Sequence, residues 1–101
     1  MEPKIIENWC QIEIYNEYLK KIASLLAQIH TVEKMKLKAE TELKMLESKE
    51  DNHSKTLYQN RLNSTLTQCE ERLSDMLEEL SLVQKLKEDL EEHISLLKSR
   101  Q

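Results

Sequence analysis

An apolar stripe with heptad spacing runs through the second half of the chain, and it constrains the fold more than any other feature. Its positions alternate between steps of four and three residues, which keeps them on one face of an α-helix. Ten of the eleven positions are apolar, counting one cysteine, and Lys87 is the exception. A lone helix cannot shield such a face from water, so the helix must pack against another helix. The stripe comprises Leu62, Leu66, Cys69, Leu73, Met76, Leu80, Val83, Lys87, Leu90, Ile94 and Leu97.

The rest of the composition favours long, uninterrupted helices. The 101 residues include no glycine and a single proline, so the residues that most often break helices are almost absent. The proline is Pro3, and a helix tolerates proline in its first turn because the first helical N–H groups have no intrahelical partner. The sequence therefore predicts an all-α, elongated coiled coil that is helical from about residue 3.

The first half of the chain carries heptads of its own. With Ile12 placed at position a, seven of eight a and d positions are apolar or aromatic, and Asn8 is the exception. Apolar residues also occupy the e and g flanks, which is wider than a two-stranded seam requires and predicts a bundle of three or four helices. After Ile29 the frame slips by three residues, a stammer, and the seam resumes toward Leu43 and Leu46. The predicted interface residues of this arm are Ile5, Ile12, Tyr15, Leu19, Ile22, Leu26, Ile29, Leu43 and Leu46.

A polar break separates the two halves. Residues 47–56 contain no apolar side chain, and they divide a single coiled-coil unit, residues 1–101, into a first arm at 3–46 and a second arm at 57–101. The two arms have nearly equal lengths, so a helical hairpin in which each arm covers the other is favoured over one continuous rod. The alternative stays open because the absence of glycine suits a rod. In a hairpin the chain would bend at residues 51–54, where Asn52 tolerates a left-handed cap and Ser54 can cap a new helix.

Charge and hydropathy exclude several classes of function. Nine carboxylates face only three basic side chains in residues 70–92, and such a surface repels phosphate backbones, so no direct nucleic-acid partner is expected. No basic helix precedes the leucine stripe, as a zipper-type transcription factor would need. No uncharged run is long enough to cross a bilayer, and the N-terminus lacks the apolar core of a signal peptide. We therefore expect a soluble, intracellular protein of the cytoplasm, cytoskeleton or nucleus.

The sequence offers little chemistry. His30, His53 and His93 lie too far apart for one helix face to gather them, and packed helices form few concave pockets. We expect no catalytic residue, no metal site, no cofactor and no small-molecule substrate. Lys87 is a candidate register residue, because a polar side chain in an apolar seam can fix alignment at a cost in stability. The simpler interpretation is that its long stem reaches out to Glu88 or Glu91.

These features predict a structural or interaction protein rather than an enzyme. The expected function is that of a coiled-coil scaffold subunit in a larger intracellular helical assembly, of the cytoskeletal, centrosomal, kinetochore or chromosome-axis type. Its partners would be other coiled-coil chains, either copies of itself or different proteins. The alternative is a homo-oligomeric adaptor that displays a short docking motif, with residues 9–12 or the leucine-rich residues 73–82 as the bait.

Overall fold

The chain forms two long α-helices and is all-α. The computed structural model describes the backbone of residues 3–99 and the side chains of residues 10–98. Helix α1 spans Pro3–Glu47 and helix α2 spans His53–Ser99, and no residue in the described part of the chain belongs to a strand. The predicted all-α class, with two long helices around a polar break, is confirmed. Proline occupies the first turn of α1, where its missing N–H leaves no helical hydrogen bond unmade.

The two helices are joined by a five-residue connection, residues 48–52. The Lys49 N–H donates to the Leu46 carbonyl across 3.0 Å, which closes the end of α1. None of the described residues has a positive φ, so the reversal needs no glycine and no left-handed residue. Residues 53–56, which the sequence placed in the polar break, belong to the first turn of α2.

Asn52 starts α2 as its N-cap. Its side-chain Oδ1 accepts a 2.8 Å hydrogen bond from the Lys55 backbone N–H, which satisfies one of the free donors of the first turn. The sequence predicted a left-handed cap at Asn52 and a helix cap at Ser54, and both details are wrong. Ser54 lies inside the first turn, because a cap one residue ahead of His53 already meets the third helical N–H.

Lys55 holds the connection from the α2 side. Its ammonium donates to the carbonyl of Lys49 across 2.7 Å and to Oδ1 of Asp51 across 2.8 Å. The Lys55 side chain is only 10% exposed, whereas that of Asp51 is 97% exposed. The Lys55 ammonium thus joins two residues of the connection, and this contact stabilises a reversal that contains neither glycine nor proline.

Both helices contribute to two compact units. Unit 1 combines Met1–Leu26 with Glu78–Gln101, and unit 2 comprises Ala27–Leu77. In unit 1 the Lys21 ammonium lies 2.9 Å from Glu79, and Tyr15 bonds Glu91, so the helices run antiparallel. The prediction that residues 1–101 form a single coiled-coil unit is left untested.

Unit 2 contains the reversal and packs the same two helices against each other. The hydroxyl of Tyr58 donates to Glu42 across 3.0 Å, near the connection. One buried cluster of unit 2 consists of Ala39, Leu46 and Leu62, against which Leu43 and Leu66 pack. Antiparallel packing across a short connection makes the fold a helical hairpin, the form that the sequence favoured over a continuous rod.

Candidate interaction surfaces

The apolar seam of α2 lies where the two helices of the hairpin meet. All eleven heptad positions predicted for this helix are buried or half-buried. The buried ones are Leu62, Cys69, Met76, Leu80 and Val83; the half-buried ones are Leu66, Leu73, Lys87, Leu90, Ile94 and Leu97. Helix α1 of the same chain therefore covers much of the apolar seam of α2.

The seam of α1 uses a different frame from the one predicted. Tyr15, Ile22, Ile29, Leu43 and Leu46 are buried or half-buried, as the sequence interpretation required. Three other predicted interface residues are exposed, namely Ile12 at 47%, Leu19 at 41% and Leu26 at 50%. These three lie outside the seam between the two helices of this chain, so their role as interface residues of a larger bundle stays a prediction, and the side chain of Ile5 lies outside the described residues.

The correct frame replaces the predicted a positions with the predicted g positions. Tyr18 is half-buried, Leu25 is only 2% exposed and Val32 only 1%. Counting back from Leu46 in alternating steps of three and four residues reaches Tyr15 without interruption, so α1 contains no stammer. The signal was present in the sequence: the pattern after Val32, extended backward, predicts this frame. A count that starts at Ile12 gives the other frame. The α1 seam comprises Gln11, Tyr15, Tyr18, Ile22, Leu25, Ile29, Val32, Lys36, Ala39, Leu43 and Leu46.

Lys87 lies in the seam with its side chain half-buried, and its ammonium forms an ion pair. Its Nζ lies 3.2 Å from Oε1 of Glu91, one turn further along α2. This is the contact expected if the long stem simply reaches out of the seam to a nearby carboxylate. Whether Lys87 also fixes the register is left as a prediction.

The frame of α1 leaves an apolar row outside the seam, which we call the outer α1 stripe. It consists of Ile12, Leu19 and Leu26, which are spaced by seven residues and so lie on one face of the helix. The charged residues Glu13 and Lys20 each follow a member of the row and are exposed. This row is apolar, and one acidic and one basic side chain lie next to it in the sequence.

Helix α2 carries a second row in unit 1, which we call the outer α2 stripe. It consists of Leu82, Leu86 and Leu96, exposed by 58%, 41% and 53%. Asp89 and His93 complete the steps of four and three residues between Leu86 and Leu96, so all five residues share one helix face.

Ile14 extends this second row onto α1. The Lys21–Glu79 ion pair marks one flank of the antiparallel pair. One heptad back from Lys21 is Ile14, and one heptad forward from Glu79 is Leu86, so both apolar residues fall on that flank. Ile14 is exposed like its counterpart.

The charges near the outer α2 stripe are mainly negative. Glu78, Asp89 and Glu92 lie on or beside the row, against Lys85 as the basic side chain beside it, while Lys87 of the same segment lies in the seam. Among the ion pairs of the described residues, none includes Lys85 or any of these three carboxylates.

Two ionisable side chains are perturbed by neighbours in unit 2. The hydrogen bond to the Glu42 carboxylate raises the pKa of Tyr58 above its ordinary value, because ionising the phenol would remove the donor and add a second negative charge. The hydrogen bond from Lys55 lowers the pKa of Asp51. Both are exposed contacts that mark helix alignment and the connection.

Cavities in the described parts are open grooves. One is a groove of about 300 Å³ in unit 1, lined by Tyr15, Glu91, Ile94, Ser95 and Lys98. No group of three or more His, Cys, Asp or Glu side chains in the described residues could hold a metal ion. What the geometry offers for recognition is therefore helix surface, above all the two outer stripes.

Comparisons with known proteins give no indication of function, so the proposal below is argued from the exposed surfaces of the two helices. No family model matches the sequence, and neither the curated proteins nor the solved structures include a match. Within the residues described, neither helix contains a stretch apolar enough, over a sufficient length, to span a bilayer.

Proposed function

We propose that this protein is a non-enzymatic, coiled-coil subunit of a larger intracellular helical assembly. The observation that carries the proposal is the pair of outer stripes in unit 1. The hairpin already covers its own seam, yet Leu19 and Leu26 on one helix and Leu82 and Leu86 on the other stay exposed in rows. Rows of exposed leucines at heptad spacing are typical of helices that pack against further helices.

The hairpin form supports this function by holding two helices in fixed alignment. The Lys21–Glu79 ion pair and the Tyr15–Glu91 hydrogen bond tie α1 to α2 within unit 1. A partner helix would therefore meet a surface whose rows are already aligned, and less conformational entropy would be lost on binding. The two outer stripes lie on different helices, which suits an assembly of four or more helices.

The rival function, display of a short docking motif by a homo-oligomer, has weaker support. Residues 9–12 lie within helix α1, so presenting them as an extended docking peptide would require that turn of the helix to unwind. In the leucine-rich segment, Leu80 is buried and Leu73 is half-buried in the seam. Displaying Leu73 and Leu80 would require opening the hairpin.

A site-specific photo-crosslinking experiment tests the proposal. A photoreactive amino acid is placed singly at Leu19, Leu26 or Leu86 in the full chain expressed in cells. The control sites, Glu13 and Glu88, lie off the two rows and are exposed as well. We expect discrete cross-linked adducts to helical proteins at the leucine sites and few at the control sites.

Three outcomes of these measurements would contradict the proposal. If the leucine sites react no more than the controls, and the purified chain is monomeric by light scattering, the proposal fails. If every adduct contains a second copy of the chain and the oligomer is monodisperse, the homo-oligomeric adaptor is the better description. Substrate turnover by the purified chain would contradict the non-enzymatic assignment.

A further inference from the structure

We infer that the outer α2 stripe docks an amphipathic helix from a different chain, one that places a Lys or Arg opposite Asp89. This inference rests on the proposed function and specifies the partner of one surface. The stripe is a leucine row interrupted by Asp89 and His93, so both its shape and its charge describe the occupant.

The apolar part of the stripe defines a helix as the occupant. Leu82, Leu86 and Leu96 are each at least two-fifths exposed, and Ile14 widens the row on the side of α1. Together with Asp89 and His93 the three leucines are spaced in steps of four and three residues, which match the ridge that a second α-helix presents when it packs nearly parallel or antiparallel.

The position of Asp89 defines the charge of the occupant. It lies on the stripe between Leu86 and Leu96, so a helix that covers these leucines must also cover its carboxylate. Burying a carboxylate without a partner is costly, and no lysine or arginine within the described residues pairs with Asp89. A basic side chain from the docked helix would supply the missing partner. Glu78 and Glu92 beside the row favour basic flanks as well.

The same position disfavours a second copy of this chain. An antiparallel pairing that matches Leu82 with Leu96 of the other copy sets Asp89 directly against Asp89. A parallel, in-register pairing does the same. Two carboxylates would then share one buried site, which is destabilising whichever way the copies run.

Two designed peptides serve as probes in the test. Each is a three-heptad helix with a leucine row, and the central position of the row is Lys in one peptide and Glu in the other. Binding of the fluorescent peptides to the full chain is followed by anisotropy at constant salt concentration. We expect the lysine peptide to bind at least about tenfold more tightly than the glutamate peptide.

Charge reversal at Asp89 identifies the contact. The variant Asp89→Lys should weaken binding of the lysine peptide by at least about tenfold and strengthen binding of the glutamate peptide. Glu88→Lys is the matched control, since it makes the same charge change one residue away and off the stripe. Circular dichroism shows that each variant keeps its helices.

A second pair of variants tests the apolar row. Leu82→Ser should weaken the lysine peptide, whereas Leu77→Ser should not, although Leu77 is exposed to a similar extent on the opposite flank. Equal binding of the two peptides, no binding of either, or equal loss in the variants and their controls would overturn the inference. Dissociation of a dimer by Leu82→Ser would overturn it too, because the occupant would then be a second copy.

The outcome is separable from that of the proposed function. Cross-links at Leu19 and Leu26 together with no discrimination between the peptides would leave an assembly subunit whose outer α2 stripe has another role. An absence of cross-links at every leucine site, with the peptide preference intact, would leave a basic-helix site without an assembly.

Discussion

The hydroxyl of Tyr15 donates a 3.2 Å hydrogen bond to Oε1 of Glu91, a residue 76 positions further along the chain. The Lys87 ammonium lies 3.2 Å from the same oxygen. One carboxylate thus joins an aromatic residue of α1 to the single lysine of the α2 seam. The contact is partly solvated and so contributes little free energy, but it can form only when the two helices of unit 1 are correctly aligned.

The first prediction concerns Lys87. Replacing it with leucine should raise the free energy of unfolding by about 1 kcal/mol, because an apolar side chain fills the seam position better than a solvated ammonium. Urea denaturation measures the change, and Lys85→Leu is the exposed control. If Lys87 also fixes the register, the leucine variant will show a second set of amide signals by NMR. A variant less stable than the parent would indicate that the ion pair outweighs the packing.

The frame of α1 is tested by two adjacent leucines. Leu25→Ala should cost about 2–5 kcal/mol of unfolding free energy, since Leu25 is fully buried in the seam. Leu26→Ala should change stability by no more than about 0.5 kcal/mol in the monomeric hairpin, since Leu26 is half exposed. Chemical denaturation at low protein concentration distinguishes them. Losses in the reverse order would restore the frame that starts at Ile12.

The N-cap of α2 gives a third prediction. Asn52→Ala should reduce stability by about 1 kcal/mol, because the Lys55 N–H loses its side-chain acceptor. Asn60→Ala is a matched control inside α2, where alanine is the better helix former and the change should be neutral or slightly stabilising. Thermal unfolding by circular dichroism compares the two. Equal effects would mean that the cap contributes nothing.

Tyr58 gives a prediction at high pH. Its pKa is raised by Glu42, so the neutral phenol is favoured in the folded chain. This contribution to stability is fully present below the unfolded pKa of about 10 and is lost as the pH rises through the higher folded pKa. Ultraviolet titration of a variant with Tyr15→Phe and Tyr18→Phe isolates Tyr58. In that background Glu42→Gln should lower its pKa, and an unchanged titration would contradict the contact.

Asp51 gives the opposite dependence at low pH. Lys55 lowers its pKa, so its contribution to stability is present above the unfolded pKa of about 3.9 and is lost as the pH falls through the folded value. NMR titration of the carboxyl carbon should show a depressed pKa that returns to its ordinary value in Lys55→Met. A depressed pKa in both proteins would rule out Lys55 as the cause.

Much of the fold is local in origin and was predictable. Helix was favoured because glycine is absent and the one proline sits at residue 3, and the α2 seam followed from steps of four and three residues that have few alternatives. The α1 frame was not predicted, because Ile12, Leu19 and Leu26 compete with Tyr18, Leu25 and Val32 for the same role. A helix with two apolar faces does not encode which face turns inward.

The sequence by itself determined that this chain is helical and that α2 must bury one defined face, since periodicity alone sets which side chains share a surface. Only the tertiary structure decided that the chain's own first helix covers that face, that Asn52 and Lys55 build the reversal without glycine, and which leucines remain outside. The physical reason is that choosing between two apolar faces depends on the partner that each one meets, and this information is not local to either helix.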